Sequence, residues 1–175
     1  MKLNRLRSIT ACAFLIFAFP AWADFTGDVT RIIDGDTVEI VTNDHPTAPG
    51  KTMAVRVRLA DIDAPESGQA FGSRSRQHLA GMIFRQIVRV EEKQQDRYGR
   101  TLGVIYSQHC DPKCVEINVN MQMVVDGMAW AYRFRERATD PQMHGLENDA
   151  RIARRGLWSD PHSQEPWKWR RNAQN

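Results

Sequence analysis

The chain has no apolar run long enough to cross a bilayer. The longest, Ile9 to Phe19, covers 11 residues, against about 20 for a spanning helix, and this excludes a bundle of transmembrane helices. Histidines at ligand spacing are also missing. His45, His78, His144 and His162 are scattered, so a zinc site built on His109, Cys110 and Cys114 would need ligands that the sequence does not offer. No EF-hand loop, internal repeat or low-complexity stretch is present, which removes the usual calcium-sensor and repeat-array architectures. Nor is there a surplus of one charge beyond the N-terminus. The first 23 residues hold three of the 24 basic residues (Lys2, Arg5, Arg7) and none of the 21 acidic ones, leaving the rest formally neutral. A polyanion would therefore have to be held by a local cluster of arginines, not by the overall field.

What is present begins with an export signal. Lys2, Arg5 and Arg7 form a positive region, Ile9 to Phe19 an apolar one, and Ala21-Trp22-Ala23 a small-x-small cleavage site, the three parts of a secretory signal. Cys12 falls early in the apolar run instead of at its end, which argues against lipidation. The expected product is one domain, residues 24–175, periplasmic or secreted and without stable membrane association once the signal is removed. In such an exported chain, Cys110 and Cys114 of "HCDPKC" flank an Asp-Pro turn and are expected to pair as a disulfide.

Strands are predicted at "VTRII", "TVEIV", "MAVRVRLADI", "IVRVEEK" and "TLGVIY", β-branched runs separated by turn residues. In the third, Val55, Val57 and Leu59 alternate with Arg56 and Arg58, opposing a core face to a charged one. Helices are predicted over about residues 71–85, through a face of Met121, Val124, Val125 and Met128, and after an Asp140 cap with Pro141 in the first position. The third carries Met143, Leu146, Ala150 and Ala153 on one side and is closed by Gly156. Five strands and about three helices make an α+β chain, and an OB-type Greek-key barrel accommodates that order. The closing "EPWKWRRNAQN", part of a basic aromatic tail over residues 160–175, is expected to be a partly packed, solvated end.

Two acidic turns carry the chemistry. "IIDGDTVEI" puts Asp34 and Asp36 around one glycine, and "ADIDAPES" puts Asp63 at the end of a neighbouring strand. If Asp36 and Asp63 converge, two hard carboxylates meet, and a calcium or magnesium ion suits such oxygen donors better than zinc does. Arg58 and Arg100 are placed to answer the same ligand, since a guanidinium matches phosphate bidentately and stays charged.

The blocks "IIDGDTVEI", "VRLADIDAPE", "DRYGR" and "ARRGLWS" resemble, in order, the motifs of the thermonuclease family, the staphylococcal-nuclease-like domain, over about residues 29–159. The resemblance implies a calcium-dependent phosphodiesterase on an OB-type barrel, cleaving DNA and RNA with low sequence specificity and leaving 3′-phosphate ends. Position by position it implies Asp36 and Asp63 as calcium carboxylates, with Asp34 beside the metal without ligating it directly. Arg58 and Arg100 correspond to the phosphate arginines and Glu66 to the catalytic glutamate. Ala64 stands where threonine is common, so only a backbone carbonyl is implied there. Tyr98 and Tyr132 are candidates to stack on or bond to single-stranded DNA or RNA, with Arg133, Arg135 and Arg137 supplying charge nearby.

The chemistry explains the residue types. A phosphodiester repels hydroxide, so a cation and two arginines neutralise its oxygens while Glu66 holds or deprotonates the water. The alternative is a non-catalytic OB-type nucleic-acid-binding module, which would be expected to lack some of Asp36, Arg58, Asp63, Glu66 and Arg100.

Overall fold

Alternation along the strands builds a closed barrel. The computed structural model describes residues 24–173; the expected signal segment, residues 1–23, lies outside them. In chain order come β1 (Asp24–Ile32), β2 (Thr37–Thr42), β3 (Met53–Leu59), β4 (Ile62–Asp63), α1 (Gly72–Ile83), β5 (Ile87–Gln95), β6 (Thr101–Cys110) and β7 (Cys114–Asn118). They are followed by α2 (Val119–Val125), β8 (Trp130–Ala131), β9 (Arg133–Phe134), β10 (Arg137–Ala138), α3 (Pro141–Ile152), a 3-10 turn (Gly156–Ser159) and α4 (Pro166–Asn172).

Antiparallel pairing links β3 to β2, β2 to β1, β1 to β5 and β5 to β6. A parallel pairing of β3 with β6, Val57 with Thr101 and Arg58 with Leu102, then closes the ring. Closure leaves the five strands no free edge. The fold is thus the expected α+β barrel. Its interior is lined by Val38, Ile40, Val57, Leu59, Val90 and Ile105, with Leu79 and Ile83 of α1 packed against them. In β3, Val55, Val57 and Leu59 are buried while Ala54 and Arg56 face outward, as a period of two requires. Strand β7 extends β6 beyond the barrel, and the disulfide joins Cys110 to Cys114 across that hairpin.

The helices depart from expectation in three ways. Helix α2 ends before Met128 and buries Val119, Asn120, Met123 and Val124, a face that apolar spacing missed because one of its members is polar. Helix α3 starts as predicted, the Asp140 side chain accepting from Gln142 N and Met143 N, but it buries Glu147 beside Met143 and Ala150. Ala153 is exposed beyond its end, and Gly156 opens the 3-10 turn instead of closing the helix. Third, the tail is partly packed as expected, but it is helical. It forms a fourth helix, α4, begun by Pro166, which is buried; proline at the first position is pre-set for helical φ.

Two buried polar residues tie the helices to the barrel. Asn120 Nδ2 donates to Ala60 O (2.9 Å) and Gly103 O (3.0 Å), and its Oδ1 accepts from Ile105 N (3.1 Å). It thereby holds the corner between Arg58 and Asp63 against β6. Glu147 accepts from Ala131 N (3.0 Å), from both Nη atoms of Arg133 (2.9 Å) and from Arg151 Nη2 (2.7 Å), anchoring α3 to β8 and β9.

Replacing Asn120 with alanine removes the side-chain partner of Ala60 O and Ile105 N and leaves Gly103 O with Ala60 N alone, and should lower unfolding free energy by about 2–4 kcal/mol in urea titrations with an unchanged slope. The disulfide encloses a short loop, so Cys110→Ser with Cys114→Ser should cost at most about 2 kcal/mol in the same titration. Neither cysteine lines the cleft described next, and nucleic-acid turnover should not change.

Candidate active site

The acidic turn is shaped by its own first aspartate. Asp34 Oδ1 accepts from Asp36 N at 3.0 Å, the local bond by which aspartate organises a turn. Gly35 lets this turn sit close to its neighbours, since a Cβ there would fall 2.1 Å from Ser75 Oγ and 2.8 Å from Ala64 Cβ. Leu59 N donates to Asp36 O at 2.8 Å, which fastens the turn to the end of β3.

Asp36 is 3% exposed and Asp63 1%, and one guanidinium spans them. Arg58 Nη1 donates to Asp36 Oδ1 (2.8 Å) and Nη2 to Asp63 Oδ1 (3.0 Å). Asp36 also accepts from Thr37 Oγ1 (2.9 Å) and, on Oδ2, from Ala64 N (2.9 Å). Burial pushes the Asp36 carboxyl up to about 7 against the pull of Arg58, and the negative charges of Asp34 and Asp63 add to the rise. Burial also works against the charge on Arg58, yet Asp36 and Asp63 outweigh it and hold the guanidinium above its ordinary value. Positive charge is what this position lacks.

Glu66 follows the Ala64-Pro65 corner, its N donating to Gln69 Oε1 at 3.2 Å. Its carboxylate accepts from Arg170 Nη1 at 2.6 Å, and the same guanidinium reaches Asp63 Oδ1 (3.1 Å) and Oδ2 (2.7 Å). Burial opposes the charge on Arg170, but the bonds and charges of Asp63 and Glu66 raise its pKa all the same.

Arg100 stands apart from this group. Its Nε donates to Asp96 Oδ2 (2.7 Å) and its backbone N to Asp96 Oδ1 (3.0 Å). These bonds and one from Tyr98 N overcome the burial of Asp96 and hold that carboxyl below its usual range. Arg100 nevertheless lines the same open cleft, with Asp34, Asp36, Arg58, Ala64, Glu66, Tyr98 and Tyr132. At about 1120 Å³ it exceeds the roughly 300–1,000 Å³ of a small-molecule pocket. Tyr98 is 68% exposed and Tyr132 38%, so both offer ring surface to a ligand.

One expectation is corrected here. Arg133, Arg135 and Arg137 do not line the cleft. Arg133 is tied to buried Glu147, Arg135 lies over the Phe134 ring at 5.3 Å, and Arg137 is exposed on β10. The cationic wall comes instead from α4, through Arg170 and Arg171 beside Trp167. Those three stand at i, i+3 and i+4 after a proline, a spacing that was readable in the tail as one face of a helix.

The donor set suits a hard cation. Among the described residues no group of three His, Cys, Asp or Glu gathers with metal-ligand spacing; the acidic pair is Asp36, which lines the cleft, and Asp63, which does not line it and is joined to Asp36 through Arg58. Buried oxygen donors beside further negative charge favour calcium or magnesium.

Comparison with known proteins agrees with this geometry. The family model described as "Staphylococcal nuclease homologue" matches residues 56–160. A protein named "Micrococcal nuclease" from Shigella flexneri is 55% identical over 175 residues, covering 99% of this chain and 96% of its own. "Protein ParB" from Escherichia coli is 54% identical, over 97% of this chain and 93% of its own. An "Uncharacterized endonuclease" from Escherichia coli O157:H7 is 39% identical over 94% and 98%. With a family match over most of its length and relatives spanning nearly all of it, the chain belongs to the staphylococcal nuclease homologue family.

Proposed function

We propose that this nuclease is an exported, calcium-dependent enzyme that hydrolyses phosphodiester bonds of DNA and RNA with low sequence specificity and leaves 3′-phosphate ends. The observation that carries the reading is the Arg58 bridge between Asp36 and Asp63, beside a cleft lined by Asp36, Arg58, Glu66 and Arg100. The nuclease and endonuclease names of its relatives support the reaction class.

Asp36 and Asp63 would hold the cation, with a backbone carbonyl from Ala64. Bound there, calcium supplies Lewis-acid neutralisation of a phosphate oxygen. The chain's own residues supply the rest. Arg58 and Arg100 present fixed guanidinium donors to the other non-bridging oxygens, and such donors stabilise charge most where water is excluded. Glu66, at the mouth of the carboxylate group, orients the attacking water or takes its proton. Asp34 acts at one remove, by fixing the turn that aims Asp36. Tyr98 and Tyr132 offer stacking surface to bases on either side of the scissile phosphate, a grip that does not depend on sequence. A non-catalytic binding module has no use for a glutamate poised beside such a carboxylate pair.

Two measurements test this. Single-stranded DNA should be cut by the chain from residue 24 onward in calcium and left whole after chelation; cleavage that persists under chelation would refute the metal assignment. Glu66→Gln should lower kcat by about 10²- to 10⁴-fold without altering the melting temperature. A variant with unreduced turnover would remove Glu66 from the mechanism.

A further inference from the structure

Arg170 lies 107 residues beyond Asp63, yet its guanidinium is spent on the site's own carboxylates. Nη1 and Nη2 take both oxygens of Asp63, and Nη1 also takes Glu66 Oε1. Among the described residues, Asp63 Oδ2 and Glu66 Oε1 accept from no other group. Asp63 Oδ2 is the oxygen of that carboxylate that Arg58 leaves open to a cation.

The helix that brings Arg170 is lightly held. Among the described residues, the hydrogen bonds of α4 (Pro166–Asn172) beyond its flanking residues Glu165 and Ala173 are those of Arg170. Just before it, Gln164 O accepts from Gln69 Nε2, and the Trp167 ring lies under Arg133 at 5.2 Å. The Arg170 side chain stays 40% exposed, so water can solvate the guanidinium once it leaves, while Asp63, 1% exposed, needs another cation in its place. Arg58 differs. It is carried by the closed barrel, is 16% exposed, and bridges both aspartates from a fixed strand.

We propose that α4 is a self-blocking strap, in which Arg170 takes the Asp63 oxygens that the divalent cation needs, holds Glu66 at the same time, and must leave before the cation can bind. This rests on the calcium-dependent reading above. Arg58 takes only Oδ1 of Asp63, whereas Arg170 takes both oxygens, so Arg170 and a divalent ion compete for Oδ2. The strap thereby sets the cation concentration at which the site becomes competent. Once released, Arg170 stays on the cleft wall with Arg171 and Trp167.

The test is calcium binding measured by titration calorimetry without nucleic acid, on the chain from residue 24 onward. A strap closed about nine-tenths of the time lowers apparent affinity about tenfold, so Arg170→Ala should bind calcium about tenfold more tightly than the unaltered protein. Trp167→Ala, which leaves every carboxylate contact in place, should shift affinity the same way by a smaller factor. Thermal melting checks that both variants fold. Hydrogen exchange gives a second readout: calcium should speed exchange at the α4 amides of the unaltered protein and leave those of Arg170→Ala as they are. Unchanged or weaker calcium binding by Arg170→Ala, or slower α4 exchange in calcium, would overturn the strap. If both proteins bind calcium equally and both cut DNA, the strap fails and the nuclease reading stands. If neither binds calcium while both cut DNA, the calcium assignment fails and the strap with it.

Discussion

One guanidinium between two buried carboxylates is the constraint on which the site depends. Arg58 joins Asp36, from the turn between β1 and β2, to Asp63, past the end of β3. Two carboxylates taken out of water repel each other and lose their hydration, and burial raises the pKa of Asp36 despite its ion pair. Such a group is tolerated only if cations and N–H donors satisfy it. Arg58, Thr37 Oγ1 and Ala64 N do so, and in doing so they bring together segments that would otherwise be independent loops.

The barrel makes this arrangement rigid. Arg58 lies where β3 pairs in parallel with β6, so the strand that carries it is bonded on both sides and cannot shift its register without turning its side chains to the other face. Asn120 fixes the Ala60 corner from below, and the Glu147 cluster fixes the segment that carries Tyr132. Asp36, Asp63, Asn120 and Glu147 sit at the joints between the barrel and the elements that shape the cleft, while Thr42, His45 and Ser107 lie away from it.

The cleft also shows how a nearly neutral chain can approach a polyanion. Its positive charge is local, coming from Arg58 on β3, Lys93 on β5, Arg97 and Arg100 between β5 and β6, and Arg170 and Arg171 on α4. In this structure much of that charge is spent internally, Arg58 and Arg170 on aspartates and Arg100 on Asp96. Whatever binds here competes with bonds already made, so affinity is set by the difference between two satisfied states and not by gross charge.

Much of the fold was legible because its causes are local. Period-two alternation in "MAVRVRLADI", the Asp140-Pro141 helix start and the Asp-Gly turn each act over a few residues and survive in the linear sequence. The buried face of α2 was not legible, because Asn120 is buried to meet three backbone groups of β6 and the Ala60 corner, partners outside its own segment. Arg133 was misread for the same reason, since its partner Glu147 is on another element. By itself the sequence determined the barrel, the acidic turns and the residue types of the site, all properties of neighbours along the chain. Only the tertiary structure decided that Arg58 spans Asp36 and Asp63 and that Arg170 closes on Asp63 and Glu66. Contacts across 22 and 107 residues arise from docking, which leaves no periodic mark in the sequence.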